Sequence, residues 1–372
     1  MSGRLSGRLA SAGYGLGWSL ICRLPESMAA GLFRAFADIA WRRQGPSVQV
    51  LEGNLFRVLG PDATGADVRA VSRESMRSYA RYWLEVFRLP VIPVERLNEG
   101  MRDEGHVSTA FEYLGQGRGV IFALPHMGNW DQAGAWIIGQ GAGSFTTVME
   151  RLEPESLYKR FVAFREGLGM EVLPASGGGK PFAILARRLQ AGKLVCLPCD
   201  RDVTGHGIEV DFFGEKARMA PGPAALAAET GAALMPVTLW FEGDGWGVDV
   251  GAEIPVPDED ELGDRKERVV AMTQQLARFF EAGIREHPQD WHMLQRVFTA
   301  DLDLARLAAA EARAEAAAEA VEAAEAADGP EPAAQEPGGT GQQRAALNGQ
   351  ADGGALDGLP GGTGAGEGGS EP

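Results

Sequence analysis

The sequence predicts an α/β fold with a mostly parallel central sheet flanked by helices. Helical and strand patterns alternate between residues 109 and 241. The five consecutive apolar residues Val120–Leu124 are typical of a strand that is buried on both faces. A length of about 300 residues before the tail is enough for one large core. Alternation of this kind brings parallel strands together beneath covering helices.

The predicted elements begin with a helix. Between Val68 and Val86 aromatic and apolar side chains recur every three to four residues, and Pro90 then breaks the pattern. The alternating units that follow are a helix at Thr109–Gln116, a strand from Val120, a helix after Asn129, a strand at Phe145–Met149, a helix at Pro154–Gly167, a strand at Met170–Leu173, a helix at Lys180–Ala191, a strand at Leu194–Cys199, a helix at Gly222–Thr230 and a strand at Leu234–Phe241. A late strand at Trp246–Ile254 and a long amphipathic helix at Gly263–Glu286 complete the pattern. We find no internal repeat and expect a monomer.

Composition divides the chain into three parts: residues 1–43, a main domain at 44–302, and a tail at 303–372. Thirteen acidic residues and three arginines lie from Asp303 onward, so −10 of the net charge of −16 belongs to the tail. Its Ala/Glu-rich first part could form a solvated helix. The Gly/Pro-rich segment from Asp328 holds too few large apolar side chains to fold, so we expect a largely disordered tail. Its use as an interaction tail and a dispensable terminus both remain open.

Residues 1–43 have the pattern of basic amphipathic helices. Six arginines and only two acidic residues are interleaved with leucines, aromatic residues and Met28. Such a segment can lie in the headgroup plane of an anionic membrane, or it can pack its apolar face on the main domain. No window reaches the ~18 apolar residues of a spanning helix, so we expect peripheral contact. Three cysteines and the lack of a cleavable signal pattern favour a reducing cytosolic compartment.

The candidate catalytic residues are His126 and Asp131. His126 follows the buried strand, and Gly128 and Asn129 form the turn that starts the next helix. Substrates bind at the carboxyl ends of strands in open α/β sheets. One helical turn brings Asp131 back toward the imidazole, where it would accept the Nδ1 proton and leave Nε2 to take a hydroxyl proton. A structural His–Asp pair is the alternative.

Four further residues are candidates for substrate binding: Glu150, Arg165, Asp200 and Arg201. Glu150 follows the strand at Phe145–Met149, and Asp200 and Arg201 follow the strand that starts at Leu194, so these residues are expected at the same edge as His126. Arg201 could bind phosphate bidentately while a carboxylate holds a sugar hydroxyl. Surface ion pairs in solvated loops are the alternative. The segment from His287 to Met293 is dense in imidazole and aromatic groups, and one of its histidines could line the pocket.

Several other motifs do not support a function. Cys196-Leu-Pro-Cys199 has the spacing of a redox pair, but no second pair exists and the motif begins inside a predicted buried strand, so we expect no metal. Ser176–Lys180 is glycine-rich, yet Pro181 stands where a phosphate loop needs Ser or Thr. No G-x-S-x-G elbow is present. The acidic balance disfavours nucleic-acid binding.

The segment His126-Met-Gly-Asn-Trp-Asp131 resembles the H-x-x-x-x-D signature of glycerolipid acyltransferases, in the H-x-G-N-W-D form of the bacterial lipid A late acyltransferase superfamily. Supporting blocks lie in the expected order, and the resemblance covers about residues 10–300; the blocks are Arg165–Gly169, Asp200–Asp202, Val210–Gly214, Pro221–Ala224 and Pro236–Val237. Glu150-Arg151, Asp200–Asp202 and Asp290–Met293 resemble the actinobacterial branch that acylates phosphatidylinositol mannosides.

This resemblance implies transfer of a long, palmitoyl-like acyl chain from acyl-CoA to the mannose 6-hydroxyl of an acceptor with one or two mannoses. It implies His126 as the base, Asp131 as its partner, the other four residues in the same pocket, no cofactor, and a peripheral position at the cytoplasmic face of the cell membrane. A thioester carries its own leaving group, so no enzyme nucleophile is needed. A lipid A type acceptor and a noncatalytic peripheral lipid-binding protein are the alternatives.

Overall fold

The computed structural model describes residues 21–152, 154–175, 181–202 and 205–303. Eleven α-helices are assigned within these ranges: α1 Glu26–Arg43, α2 Pro46–Leu59, α3 Gly65–Arg88, α4 Val94–Glu99, α5 Val107–Gly115, α6 Trp130–Ile137, α7 Glu155–Gly167, α8 Pro181–Gln190, α9 Gly222–Thr230, α10 Glu259–Leu262 and α11 Arg265–Glu286. Residues 1–20, the glycine-rich segment 176–180 and the tail from 304 lie outside the described residues, so the expectations for them stay predictions.

The chain forms a seven-stranded sheet and a separate two-stranded hairpin. The strands are β1 Met101–Gly105, β2 Val120–Leu124, β3 Phe145–Met149, β4 Met170–Pro174, β5 Leu194–Pro198, β6 Ile208–Phe212, β7 Glu215–Met219, β8 Ala233–Glu242 and β9 Gly245–Val250. The order in the large sheet is β1-β9-β8-β2-β5-β3-β4, and the five strands from β8 to β4 are parallel. The predicted α/β class with a mostly parallel sheet is therefore confirmed.

Four strands differ from the sequence prediction. β1 and the antiparallel β6–β7 hairpin were not predicted, because the exposed, charged residues of β1 lack an apolar period. The predicted strand Trp246–Ile254 ends at Val250; Ile254 makes only an isolated bridge to Leu234. β9 runs antiparallel to β8 and parallel to β1, so the two strands β1 and β9 at one side of the sheet run in the opposite direction to the other five.

Helices cover both faces of the sheet. Ile121 and Ala123 of β2 pack in a core with α8, α9 and α11, whereas Val120, Phe122 and Leu124 pack with α5, α6 and α7. Alternate residues of a strand point to opposite faces. The all-apolar strand is thus explained by two cores.

The helix α1 packs on α3 through one side and exposes the other. Asp38 accepts hydrogen bonds from Arg73 and Arg77, and the Trp41 indole donates to Ser72 Oγ at 3.0 Å. Met28, Leu32, Phe36 and Ile39 are 62, 44, 59 and 43% exposed. Packing on the main domain therefore uses one face of α1, and a second, apolar face stays uncovered within the described chain. In that part of the chain we find no helix long and apolar enough to cross a bilayer.

Candidate active site

His126 and Asp200 meet at the carboxyl edge of the sheet. β2 and β5 are parallel neighbours in which Leu124 and Pro198 are register partners, and each site residue comes two positions after its partner. His126 Nδ1 lies 2.6 Å from Asp200 Oδ1, and the backbone N–H of His126 donates to Asp200 Oδ2 at 2.9 Å. The imidazole side chain is 24% exposed, so one side of the ring remains open.

Asp200 is a fully buried carboxylate with three N–H donors. The third donor is the Trp291 indole, whose Nε1 lies 2.9 Å from Oδ2. Burial alone would raise the pKa of Asp200, but the His126 imidazole and the hydrogen bonds from His126 and Trp291 hold this pKa below its ordinary value. An ionised Asp200 can only accept, so the proton of His126 lies on Nδ1 and Nε2 keeps its lone pair.

The predicted pairing of His126 with Asp131 is wrong. Asp131 is the second residue of α6, and its carboxylate accepts from Arg165 Nε at 2.6 Å, from Arg165 Nη2 at 3.0 Å and from the Tyr82 hydroxyl at 2.9 Å. Burial alone would lower the pKa of Arg165, but Asp131 raises it. The helix turns the carboxylate toward α3 and α7, whereas a laterally adjacent strand supplies the partner of His126.

Glu150 and Arg201 form an ion pair at the same edge. Arg201 Nη2 donates to Glu150 Oε2 at 3.0 Å, and the Glu150 side chain is 48% exposed. Both residues line one pocket with His126 and Arg165, and together they form the ion pair that was the alternative interpretation. Arg201 Nε is buried without a hydrogen-bond partner among the described residues.

This catalytic pocket, which we define as the cleft containing His126, Glu150, Arg165, Arg201 and His292, spans about 1300 Å³ including its open mouth. Its aromatic walls come mainly from α3 and from the start of α6; they are Tyr79, Tyr82, Trp83, Trp130 and Phe161. A pocket with mostly apolar walls and a few convergent polar groups is typical of a small-molecule site.

An apolar cavity of about 720 Å³, counted with its open side, adjoins the catalytic pocket. The two share Trp130, Val148, Arg165 and Pro198. The cavity runs beneath α6 and across six neighbouring strands of the sheet, from Val250 on β9 to Met170 on β4. Six strands at a spacing of about 4.8 Å extend over about 24 Å. The arrangement can therefore hold an extended apolar chain whose reactive end lies beside His126.

The segment Asp290–Met293 contributes more to the site than the sequence indicated. His292 lines the catalytic pocket, and its Nε2 lies 2.8 Å from Ser78 Oγ, which donates to Asp290 Oδ1 at 2.6 Å. Burial, together with the smaller effect of the nearby His126, lowers the pKa of His292 to about 3, so His292 is neutral. His287 instead stacks on Trp240, with ring centroids 4.7 Å apart. The many aromatic and imidazole rings of this segment were the sequence signal that it could line the pocket. That signal did not indicate that the Trp291 indole donates to Asp200.

The cysteine pair has no features of a redox or metal site in this structure. Burial raises the pKa of both Cys196 and Cys199, which suppresses the reactive thiolate. Cys196 lines the apolar cavity, and Cys199 belongs to the core on the opposite face of the sheet. In the described ranges we find no cluster of three or more His, Cys, Asp or Glu side chains that could hold a metal ion.

Comparison with known proteins identifies the family of this chain. A family model described as bacterial lipid A biosynthesis acyltransferase matches residues 6–300. A phosphatidylinositol mannoside acyltransferase of Mycolicibacterium smegmatis is 50% identical over 312 residues, which cover 83% of this chain and 98% of the relative. A protein of the same name from Mycobacterium tuberculosis is 47% identical over 303 residues, with coverages of 81 and 92%. The chain therefore belongs to the bacterial lipid A biosynthesis acyltransferase family.

Proposed function

We propose that this protein transfers a long acyl chain from acyl-CoA to the mannose 6-hydroxyl of a phosphatidylinositol mannoside, with His126 as the general base and Asp200 as its orienting partner. The observation that carries the proposal is the 2.6 Å contact between His126 and Asp200 at the junction of a polar pocket and an apolar cavity. The names of the two mycobacterial relatives suggest the acceptor class, a phosphatidylinositol mannoside.

The chemistry needs one base and no enzyme nucleophile. His126 Nε2 removes the proton of the sugar hydroxyl as its oxygen attacks the thioester carbonyl, which forms the new C–O bond. The C–S bond then breaks, and the CoA thiolate takes the proton from Nε2. Asp200 holds the tautomer and stabilises the imidazolium between these steps. A positioned base contributes about 10² to 10⁴-fold, and fixed substrate geometry supplies much of the remaining acceleration.

The walls of the catalytic pocket support a phosphorylated sugar acceptor. Glu150 can accept hydrogen bonds from sugar hydroxyls, and Arg201 can donate to phosphate. Arg165 lies at the junction of pocket and cavity, where a thioester linked to an apolar chain would pass. We assign Asp131 to holding this guanidinium in place, because its two oxygens take two of the Arg165 N–H groups.

The apolar cavity supports a long acyl donor. It lies beneath a helix rather than in the open cleft, and its walls are almost entirely aliphatic and aromatic. Burial of each methylene contributes about 0.8 kcal/mol, so a long chain gains binding energy along the cavity. The reacting carbonyl stays at the end that opens beside His126.

The exposed face of α1 supports a peripheral position on an anionic membrane, at the cytoplasmic face of the cell membrane. Its four apolar side chains recur at positions 28, 32, 36 and 39, which lie along one side of a helix. Arg42 and Arg43 occupy the last turn of the same helix. An apolar stripe with neighbouring arginines matches an interfacial helix, and a lipid acceptor would reach the protein from such a surface.

The experiment is acyl transfer from labelled palmitoyl-CoA to a mixture of mannosylated phosphatidylinositols and a lipid A precursor, read by mass spectrometry of the lipids. We expect wild-type protein to acylate the mannose 6-hydroxyl and His126→Ala to lose nearly all transfer. His287→Ala is the matched control, because this imidazole stacks on Trp240 and does not line the catalytic pocket.

Each other result overturns a named part of the proposal. Transfer that survives in a folded His126→Ala protein would exclude the base. Acylation of the lipid A precursor alone would replace the acceptor. Lipid binding without release of CoA on any acceptor would favour a noncatalytic lipid-binding protein.

A further inference from the structure

A second segment is attached to the loop that carries His126. The backbone N–H of His292 donates to the carbonyl oxygen of His126 at 2.8 Å, and the N–H of Gly128 donates to that of Asp290 at 2.9 Å. Met127 and Trp291 face each other in an isolated antiparallel bridge. The backbone of residues 290–292 is thereby held in register with residues 126–128.

Trp291 uses this position to reach Asp200. Its side chain is fully buried, and its indole N–H donates to Oδ2, the oxygen that also accepts from the His126 backbone. Oδ1 is left for the imidazole at 2.6 Å. The two oxygens therefore have separate donors, and the carboxylate cannot rotate without breaking at least one of these bonds.

The rings around Trp291 fix the direction of its N–H. Phe212 packs against the indole edge to face, with centroids 5.9 Å apart, and Phe213 lies tilted at 6.3 Å. Both phenylalanines belong to the β6–β7 hairpin: Phe212 is the last residue of β6, and Phe213 lies in the turn that follows. The hairpin thus supports the indole, the indole supports Asp200, and Asp200 supports His126.

We propose that Trp291 is a positioning residue of acyl transfer: its indole N–H holds Asp200 in the orientation that serves His126 and moderates the attraction between this carboxylate and the imidazolium. The inference rests on the proposed function of His126. When a carboxylate accepts a second hydrogen bond, part of its negative charge is compensated, and it attracts a neighbouring cation less strongly.

Other titratable groups also lie around this pair. They are Cys199 beside Asp200 and the pocket residues Tyr79, Tyr82, Glu150, Arg165, Arg201 and His292. Because none of them hydrogen-bonds to the indole, a change in pH dependence after the substitution reports on the Asp200–His126 pair.

The test is the pH profile of kcat/KM for the full chain with palmitoyl-CoA and acceptor. We expect Trp291→Phe to lower kcat/KM by about 10- to 100-fold, the effect of losing a hydrogen bond to a charged group. We also expect the acid limb of the profile to move to higher pH by roughly half a unit or more, because the imidazolium is held more tightly.

Trp240→Phe is the matched control. It also removes an indole N–H, the one that donates to Glu242 Oε2 at 3.3 Å, and Trp240 lines neither the catalytic pocket nor the apolar cavity, so the acid limb should stay at its wild-type pH. If Trp291→Phe does not fold, incorporation of benzothienylalanine at position 291 keeps the ring size and replaces the N–H by sulfur. The same shift of the acid limb is expected.

Two outcomes would overturn the inference: an acid limb that stays in place in the Trp291 variants, or one that moves equally in Trp240→Phe. A failure of the proposed function can be told apart from these outcomes, because it would appear as acyl transfer that survives in the His126→Ala variant. An inactive His126→Ala protein together with an unmoved limb in Trp291→Phe contradicts the role of Trp291 alone.

Discussion

Two buried carboxylates lie near His126 and make different bonds. Asp200 accepts hydrogen bonds from the imidazole Nδ1 and the backbone N–H of His126 and from the Trp291 indole. Asp131 accepts hydrogen bonds from Arg165 and Tyr82. Removal of one partner of a buried ion pair leaves the other charge without compensation. The same substitution should therefore have different consequences at the two positions.

Asp200→Asn should abolish most turnover. An amide cannot accept from three N–H donors as a carboxylate does, and the proton of His126 is no longer held on Nδ1. We expect kcat to fall on the order of 10⁴-fold, as it does when the carboxylate of a Ser-His-Asp triad becomes an amide. Steady-state kinetics at saturating donor and acceptor measure this.

Asp131→Asn is the matched comparison and should act mainly through stability. The Arg165 guanidinium would lose its countercharge in a buried site, so the free energy of unfolding should fall by about 3 kcal/mol, measured by urea denaturation. A variant with wild-type stability and a larger loss of kcat than Asp200→Asn would contradict this division of roles and restore Asp131 as the partner of the base.

His292 should make the folded protein sensitive to acid. Burial lowers the pKa of His292 to about 3, while an unfolded histidine titrates near 6.5. Below pH 6.5 the unfolded state binds the additional proton, so stability that is present above pH 6.5 is lost as the pH falls toward 3. The full effect is roughly 5 kcal/mol.

The measurement is the pH dependence of unfolding for wild type and His292→Phe. The variant should show a smaller loss of unfolding free energy between pH 6.5 and 4, because its ring takes up no proton. His287→Phe is the control and should keep the wild-type slope, since His287 is not buried to the same extent. Parallel curves for wild type and His292→Phe would show that His292 takes up its proton in the folded state.

At the scale of elements, the site depends on the turn between β2 and α6. Gly128 has φ +59°, and a Cβ at this position would lie 2.7 Å from the carbonyl carbon of Leu239. Asn129 then caps α6, its side chain accepting from Gln132 N at 3.0 Å. The H-x-G-N-W-D pattern is thus also a structural pattern, since it closes the turn tightly against β8.

Among the helices, α1 should mediate membrane binding. We expect the double substitution Leu32→Gln and Phe36→Gln to weaken partitioning onto anionic vesicles, because burial of these exposed side chains in the interface is lost. Vesicle co-sedimentation measures the change. The control Val270→Gln replaces an exposed apolar residue of α11; unchanged partitioning of the α1 variant, or equal weakening by the control, would refute the role of this helix.

At the scale of the whole molecule, the polar residues of the candidate site lie at one edge of the sheet because five strands are parallel. The carboxyl ends of β2, β3 and β5 carry His126, Glu150 and Asp200, and the catalytic pocket opens there. The apolar cavity crosses the same sheet beneath α6. One sheet therefore supplies a polar edge and an apolar face, as the two dissimilar substrates of the proposed reaction would require.

The acidic tail should be dispensable for acyl transfer. Residues 328–372 are rich in Gly and Pro and hold few large apolar side chains, so they contribute little to a packed core. We expect kcat/KM of a chain that ends at residue 327 to equal that of the full chain in the mixed-acceptor assay. A large loss of activity with an unchanged Tm would assign the tail a functional role.

Much of the site could be predicted from local pattern. The apolar run before His126, the strands ending at Glu150 and Asp200 and the flanking helices are all properties of short segments, and the parallel order they suggest is present. Arg165 is placed in the same pocket by the family resemblance; helix geometry alone does not place it there, because a helix that follows a strand of a parallel sheet runs back toward the opposite edge. The exposed strand β1 and the β6–β7 hairpin have no comparable apolar signal.

Local pattern thus determined the α/β class, which the structure confirms, and it nominated one edge of the sheet and His126 for the chemistry that we propose. The partner of that base depended on the order of strands: β5 pairs with β2 although about 70 residues separate them along the chain, and this neighbour supplies Asp200. The bond from Trp291 also joins segments distant in sequence. Periodicity reports which face of an element is buried, whereas only packing of the complete chain brings distant side chains within hydrogen-bond distance.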